Sequence, residues 1–300
     1  MRLLVSGAQG MLGVAVMRAG ESARHSLTGL SHSELDITDA DAVHAAFERE
    51  RPDAAINCAA WTDVDGAQEQ RDQARRVNVD GAGNLARAAA AAGAALVHVS
   101  SDYVFAGVAP LDAAGRPRAY VESDPTGPHS VYGATKLEGE QHVLAASPRH
   151  CVARSAWLFG LGGRNFVATM LRLAGEQKDH PASVRVVTDQ VGSPTWTGHL
   201  APALVGLLER EVSGVVHLAG AGAVSWHGFA VEIFRQADVE CTVLEATSED
   251  VARPAPRPAW SALASERDDV LPMPDWRDGL AGYLAARAGM MRRGSMGPGA

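Results

Sequence analysis

Of the 27 basic residues in this chain, only two are lysines, Lys136 and Lys178. One of them closes the segment Tyr132-Gly-Ala-Thr-Lys136. Residues four apart share a helix face, so this spacing sets a phenol beside an ammonium. That pairing suits the protonation of a carbonyl oxygen while hydride attacks the carbonyl carbon. A free phenol titrates near about pH 10. A neighbouring ammonium favours phenolate, as does the positive charge of a nicotinamide that has given up hydride, and both are expected to lower that value. Ser101, in Val99-Ser-Ser-Asp-Tyr-Val-Phe105, completes a Ser–Tyr–Lys triad by orienting and polarising the carbonyl.

A hydride donor needs a seat, and the N-terminus offers one. Gly7-Ala-Gln-Gly10-Met-Leu-Gly13 follows a short apolar run and precedes helical spacing. Its pattern is GxxGxxG rather than GxGxxG. The physics is shared: glycines permit a tight turn and let backbone N–H groups approach a pyrophosphate at a helix N-terminus. The segment expected to end the second strand reads Gly29-Leu-Ser31-His32. It has no acid for a ribose 2′-hydroxyl and no arginine for a 2′-phosphate. Ser31 and His32 can accommodate a phosphate weakly, so NADPH is slightly favoured and NADH stays open.

These groups must be positioned by alternating elements. Strands are predicted at Arg2–Ser6, Ser26–Leu30, Ala54–Ala59, Ala95–Ser100, Cys151–Ala156 and Val215–Leu218. Helices are predicted at Gly10–Arg18, Asp39–Arg49 (capped by Thr38), Asp72–Gly93, Val131–Ala146, Asn165–Gly175, His199–Glu211, Ser225–Gln236 and Trp276–Arg287, with a proline-rich loop at Arg253–Pro258. The alternation argues for an α/β fold, a Rossmann-like doubly wound parallel sheet with a smaller C-terminal substrate-binding lobe. Residues 1–156 form the NAD(P)-binding domain, its sheet completed from within 184–220. Residues 157–287 form mainly the substrate-binding lobe, and 288–300 a disordered tail.

Composition narrows the function. Hydrophobic residues make up 46% and charged residues 21%, as in ordinary globular proteins. A net charge of −8 argues against a nucleic-acid partner. Cys58, Cys151 and Cys241 show neither metal-ligand nor disulfide spacing, which fits a reducing cytoplasm. The first apolar run is too short for a signal peptide. No run of about 18 apolar residues suggests a membrane span.

Several segments together resemble the dTDP-4-dehydrorhamnose reductase family of extended short-chain dehydrogenase/reductases. They are Gly7–Gly13, Leu35-Asp-Ile37, Asn57-Cys-Ala-Ala-Trp-Thr62-Asp-Val64-Asp, Val77-Asn78, Ser100-Ser-Asp-Tyr-Val-Phe105, Tyr132–Lys136, Arg154-Ser-Ala-Trp157, Asn165-Phe166 and Asp189-Gln-Val-Gly-Ser-Pro-Thr195. The resemblance covers residues 1–287. It implies NAD(P)H-dependent reduction of the 4-keto group of dTDP-4-dehydro-6-deoxy-L-mannose to dTDP-L-rhamnose, with Tyr132 as proton donor and Lys136 holding the nicotinamide ribose. It implies that Gly10, Met11 and Leu12 lie against the pyrophosphate. Asp36 and Ile37 would line the adenine pocket, and Ala60, Trp61 and Thr62 would flank the cofactor. The sugar would meet Thr62, Val64, Ser101, Asp102, Tyr103, Tyr132 and Trp157, the flat tryptophan suiting a deoxysugar face.

The chain departs from that family in places. Ser101 stands where threonine is usual, Ala106-Gly107 where Asp-Gly is usual, and the loop Val108–Tyr120 is longer. Some members dimerise through magnesium held by C-terminal glutamates; that site does not match here, and no metal is expected. A nucleotide-sugar substrate and a monomer or homodimer follow. Two alternatives stay open: another nucleotide-sugar reductase or epimerase, and a non-catalytic regulatory subunit resembling the methionine adenosyltransferase beta subunit.

Overall fold

The computed structural model describes residues 1–176 and 182–295. Lys178 and residues 296–300 lie outside them. Short apolar runs form β1 (Arg2–Ser6), β2 (Ser26–Leu30), β3 (Ala54–Asn57), β4 (Ala95–Ser101) and β5 (Cys151–Ser155). With Gly214–His217 they make one six-stranded parallel sheet, in the order Gly214–His217, β5, β4, β3, β1, β2. The segment expected within 184–220 thus completes the sheet.

Side chains alternate across a strand, and both faces are apolar. Leu3 and Val5 of β1 pack with Ile56, Val97 and helix α8 (Thr197–Glu209) on one face. Leu4 packs with Ala55, Leu96, Phe47 and Leu85 on the other, under helices α2 (Ala40–Glu50), α5 (Ala82–Ala91) and α6 (Val131–Ala146). The chain leaves β1 in opposite directions toward β2 and β3. In such sheets ligands bind beyond the carboxyl ends of strands at that switch point.

A separate core forms farther along the chain. Helices α7 (Phe166–Glu176), α9 (Trp226–Ala237) and α10 (Trp276–Ser295) pack Val167, Met170, Phe229, Ile233, Trp276 and Tyr283 around Phe159. A parallel strand pair, Ala182–Val187 with Cys241–Ala246, lies against them. That pair was not expected from the sequence.

Other boundaries differ for identifiable reasons. Helix α2 is capped by Asp39, not Thr38, because the Asp39 carboxylate accepts the N–H groups of Asp41 and Ala42 at 3.0 Å. The long helix expected over Asp72–Gly93 begins earlier and is broken. It runs as α3 (Val64–Glu69), α4 (Arg71–Arg75), a π-helical turn over Arg76–Gly81, and α5. Strands β3 and β5 stop at Asn57 and Ser155, where the chain turns toward the cleft. Helix α10 runs past its expected end at Arg287 to Ser295, and at the C-terminus residues 296–300 lie outside the described residues.

Candidate active site

The first turn after β1 is shaped by atoms that are missing. Gly7 has φ +71°, and a Cβ there would lie 2.7 Å from the Ala59 nitrogen. A Cβ on Gly13 would lie 2.1 Å from the Gly7 carbonyl oxygen. The N–H of Gly10 donates to that same oxygen at 3.0 Å. Helix α1 (Met11–Ser22) therefore starts hard against the turn, with no side chain capping its first N–H groups. Open donors at the positive end of a helix, backed by a cradle that any side chain would fill, fit a dinucleotide pyrophosphate.

Beside this cradle, Asp36 accepts the Thr38 N–H at 2.9 Å. That bond, with His32 and Arg76 nearby, holds its carboxyl below the usual range. The end of β2 differs from its sequence reading. Ser31 is buried, and its hydroxyl and N–H donate to Glu34 Oε2 at 2.6 and 2.8 Å. Ser31 is therefore committed to an acid three residues away and is not free for a phosphate, as the sequence had suggested. His32 remains exposed at the cleft.

At the end of β4, Ser101 Oγ donates to Asp102 Oδ1 at 2.8 Å and accepts the Tyr103 N–H at 3.2 Å. Burial pushes the Asp102 carboxyl up to about 6, partly offset by the nearby Ser261 hydroxyl and the bond from Ser101. Tyr132, in the first turn of α6, is 9% exposed and packs edge-on against Tyr103 at 5.4 Å. Burial pushes its phenol up to about 12; the nearby Ser101 hydroxyl lowers it and the Asp102 charge raises it. The lowering expected from Lys136 is not supplied by the protein alone. The consequence is useful: at neutral pH Tyr132 is fully protonated and holds a proton to give.

Lys136 lies one turn along α6 and is buried. Its Nζ donates to the Val99 carbonyl at 2.8 Å and lies 3.2 Å from His98 Nε2. Burial brings it down to about 8, against the pull of Glu140 and Cys58. The loop after β3 is clamped to α6 by Asn78, whose Oδ1 accepts the Trp61 N–H at 2.9 Å and whose Nδ2 donates to Thr135 Oγ1 at 3.0 Å. This clamp sets Ala60, Trp61 and Thr62 across the cleft.

Trp157 follows β5 with φ +47°, a conformation that costs a non-glycine residue on the order of 1–3 kcal/mol. Its indole stacks on Trp226, the centroids 3.5 Å apart and the planes at 2°. Phe166 leans on Trp226 at 4.5 Å. The side chains that hold Trp157 in place thus come from α7 and α9.

One cleft of about 1010 Å³ gathers every residue singled out from the sequence for cofactor, sugar or chemistry except Ser31. Its lining also includes residues that the sequence reading missed. Trp226 had no motif, only an aromatic at a helix start. Arg164 stands exposed at the mouth, beside Gly163, where a Cβ would lie 2.9 Å from Met11 Cβ. His98, beneath the cleft, looked like part of a wholly apolar strand.

Comparison with known proteins agrees with this geometry. The family model described as RmlD substrate binding domain matches residues 1–288. A dTDP-4-dehydrorhamnose reductase of Mycolicibacterium smegmatis is 41% identical, covering 98% of this chain and 88% of that protein. A probable dTDP-4,6-dihydroxy-2-methyloxan-3-one 4-ketoreductase of Streptomyces antibioticus is 39% identical, covering 98% and 100%. The crystal structure of the Bacillus anthracis dTDP-4-dehydrorhamnose reductase in complex with NADP superposes with a TM-score of 0.89 at 34% identity, covering 95% and 99%.

Proposed function

Because the chain belongs to the RmlD substrate-binding-domain family, we propose that it is an NAD(P)H-dependent reductase of the 4-keto group of dTDP-4-dehydro-6-deoxy-L-mannose, yielding dTDP-L-rhamnose. The observation that carries this reading is the meeting of the Gly7–Gly13 cradle with Ser101, Tyr132 and Lys136 in one cleft. When bound, the dihydronicotinamide supplies the hydride. The relative crystallised with NADP supports the slight lean toward NADPH, with His32 rather than Ser31 as the group available near a 2′-phosphate.

The chain's own residues do the rest. Gly7, Gly10, Met11, Leu12 and Gly13 seat the pyrophosphate by backbone N–H groups. Asp36 and Ile37 border the adenine, and Ala60, Trp61 and Thr62 close over the other side. Tyr132, protonated at neutral pH, gives its phenolic proton to the ketone oxygen as negative charge builds there. Ser101 orients that oxygen, its hydroxyl turning from Asp102 toward substrate. Lys136 faces the nicotinamide ribose and steadies the phenolate that Tyr132 leaves. Thr62, Val64, Asp102 and Tyr103 border the sugar, with Trp157 as its apolar platform. Residues 1–156 with 214–217 act as the cofactor-binding part, and 157–287 mainly as the substrate-binding part.

The three cysteines are free, and among the described residues no helix is long and apolar enough to cross a membrane. Both fit work on a nucleotide-sugar in a reducing cytoplasm, as a monomer or homodimer. The Streptomyces antibioticus relative, a probable 4-ketoreductase of a differently named dTDP-sugar, supports a second reading in which this cleft takes another keto-sugar.

The test follows NAD(P)H consumption with freshly generated dTDP-4-dehydro-6-deoxy-L-mannose. Wild type turns over, and Tyr132→Phe loses roughly 10²–10⁴-fold in kcat, the usual worth of a positioned acid, while still binding cofactor. Cofactor binding without oxidation in wild type would remove this substrate and leave the second reading.

A further inference from the structure

Beneath Lys136 runs a buried row of polar side chains that the reduction above does not use. Asn57 Oδ1 accepts Ser6 Oγ–H at 2.8 Å and the Ala59 N–H at 2.9 Å. A backbone N–H can only donate, so the Asn57 amide is turned one way. Its Nδ2 then faces His98 Nδ1 at 2.9 Å. An amide nitrogen also only donates, which makes Nδ1 the acceptor. The neutral ring therefore carries its single proton on Nε2, 3.2 Å from Lys136 Nζ. Ser6, Asn57, His98 and Lys136 are each no more than 2% exposed.

We propose that His98 is a positioning residue: fixed by Asn57 as an Nε2–H donor, it aims that N–H at Lys136 Nζ and weakens the lysine's hold on its third proton. An ammonium has no lone pair to receive Nε2–H, so the contact sets donor against donor. The amine does have one, and the contact becomes a hydrogen bond. His98 itself stays neutral, because burial and the adjacent lysine hold it well below the usual histidine range.

The other groups around Lys136 do not reverse this. Glu140, one turn along α6, favours the ammonium, but its carboxylate is spent on Arg154 of β5, with contacts of 2.7 and 3.0 Å. Cys58, just beyond β3, is held as a thiol by burial. Glu138 turns outward to Arg75. Val99 of β4 supplies only a carbonyl, and Tyr132 on the same helix is protonated. Burial and the His98 N–H therefore push Lys136 in the same direction, toward the amine.

The inference deepens the reductase reading and rests on Lys136 belonging to its triad, but its first test needs no turnover. Side-chain nitrogen NMR of the histidine-labelled full chain, with His98→Gln to assign the signal, reads the tautomer directly. We expect Nδ1 bare and Nε2 protonated from about pH 6 to about pH 9. The Nε2 signal should inflect near pH 8, where Lys136 titrates, and lose that inflection in Lys136→Met. An Nδ1–H ring, an imidazolium in that range, or a signal indifferent to Lys136→Met overturns the proposal. Failure of the reductase assay leaves the NMR result standing, so the two ideas fail separately.

A second test reverses the row. In Asn57→Asp the carboxylate accepts Nδ1–H, and Nε2 becomes an acceptor that favours the ammonium. The basic limb of the kcat/KM profile should then rise by about one pH unit, tenfold in proton affinity. A limb that stays in place overturns the proposal. So does an equal rise in the Asn57→Asp/His98→Gln double variant, because the new charge would then act without His98.

Discussion

The two ends of the cleft are made in opposite ways. The glycine end is a contiguous stretch, Gly7 to Gly13, whose shape depends on absent side chains: a Cβ on Gly13 would sit 2.1 Å from a carbonyl oxygen. The tryptophan end is assembled from side chains distant in sequence. Trp157 comes from the turn after β5 and stacks at 3.5 Å on Trp226 of α9, against which Phe166 of α7 is tilted at 4.5 Å. Backbone defines one seat and aromatic packing the other. On the reading proposed above, the first would hold a phosphate group common to many dinucleotides, and the second could be retuned for a particular sugar without disturbing it.

The largest separation of the two ends should come from Gly13→Ala. The added methyl cannot fit without moving the Gly7 turn, so NADPH affinity should fall by roughly 100-fold, about 2.7 kcal/mol. Fluorescence titration of NADPH measures this, and circular dichroism checks that the chain still folds. Affinity within about threefold of wild type would show that the cradle is not the phosphate seat. Trp226→Ala should do the converse with a smaller effect. Losing the stack frees Trp157 from its left-handed backbone, and aromatic contacts of this kind are worth about 0.5–1.5 kcal/mol. The keto-sugar KM should rise up to about tenfold while NADPH affinity holds. If both constants move together, the two ends are coupled and do not bind independently.

That contrast also explains what could be read from the chain alone. The boundaries of β1, β2 and α6 follow from local apolar runs and flanking glycines, and the structure reproduces them as expected. The glycine cradle and the Tyr132/Lys136 pair are legible for the same reason, because each lies within one element. Trp226 was not legible, since nothing near it in sequence says that Trp157 lies beneath it. Glu34 escaped notice because its grip on Ser31 depends on how the turn after β2 folds back. His98 was hidden by its neighbours: within Ala95-Leu-Val-His-Val it reads as a buried strand residue, and only the register of β3 against β4, which pairs Asn57 with His98, reveals its partner. The broken helix over 64–91 was missed because an alanine-rich run carries no signal for the π-helical turn. Asn78 in that turn reaches both Trp61 and Thr135.

Between the two ends sits Asp102, and it gives the most easily signed effect. The carboxyl is 2% exposed, and burial raises it from 3.8 to about 6. Between those values the unfolded chain has released the proton while the folded chain still holds it. The folded state therefore binds more protons across that window, and stability falls as pH rises through it. The contribution is fully present below about pH 4 and gone above about pH 6, a difference of roughly 3 kcal/mol. Asp102→Asn cannot ionise, so its stability should not decline over this interval for that reason. Urea unfolding of both proteins at several pH values from about 4 to about 7 measures the difference. Wild type should lose ground steadily to the variant as pH rises, whatever constant offset the lost Ser101 bond introduces. A difference that stays flat would mean that Asp102 ionises in the fold as easily as in water. The border between the two ends would then be wetter than its packing implies.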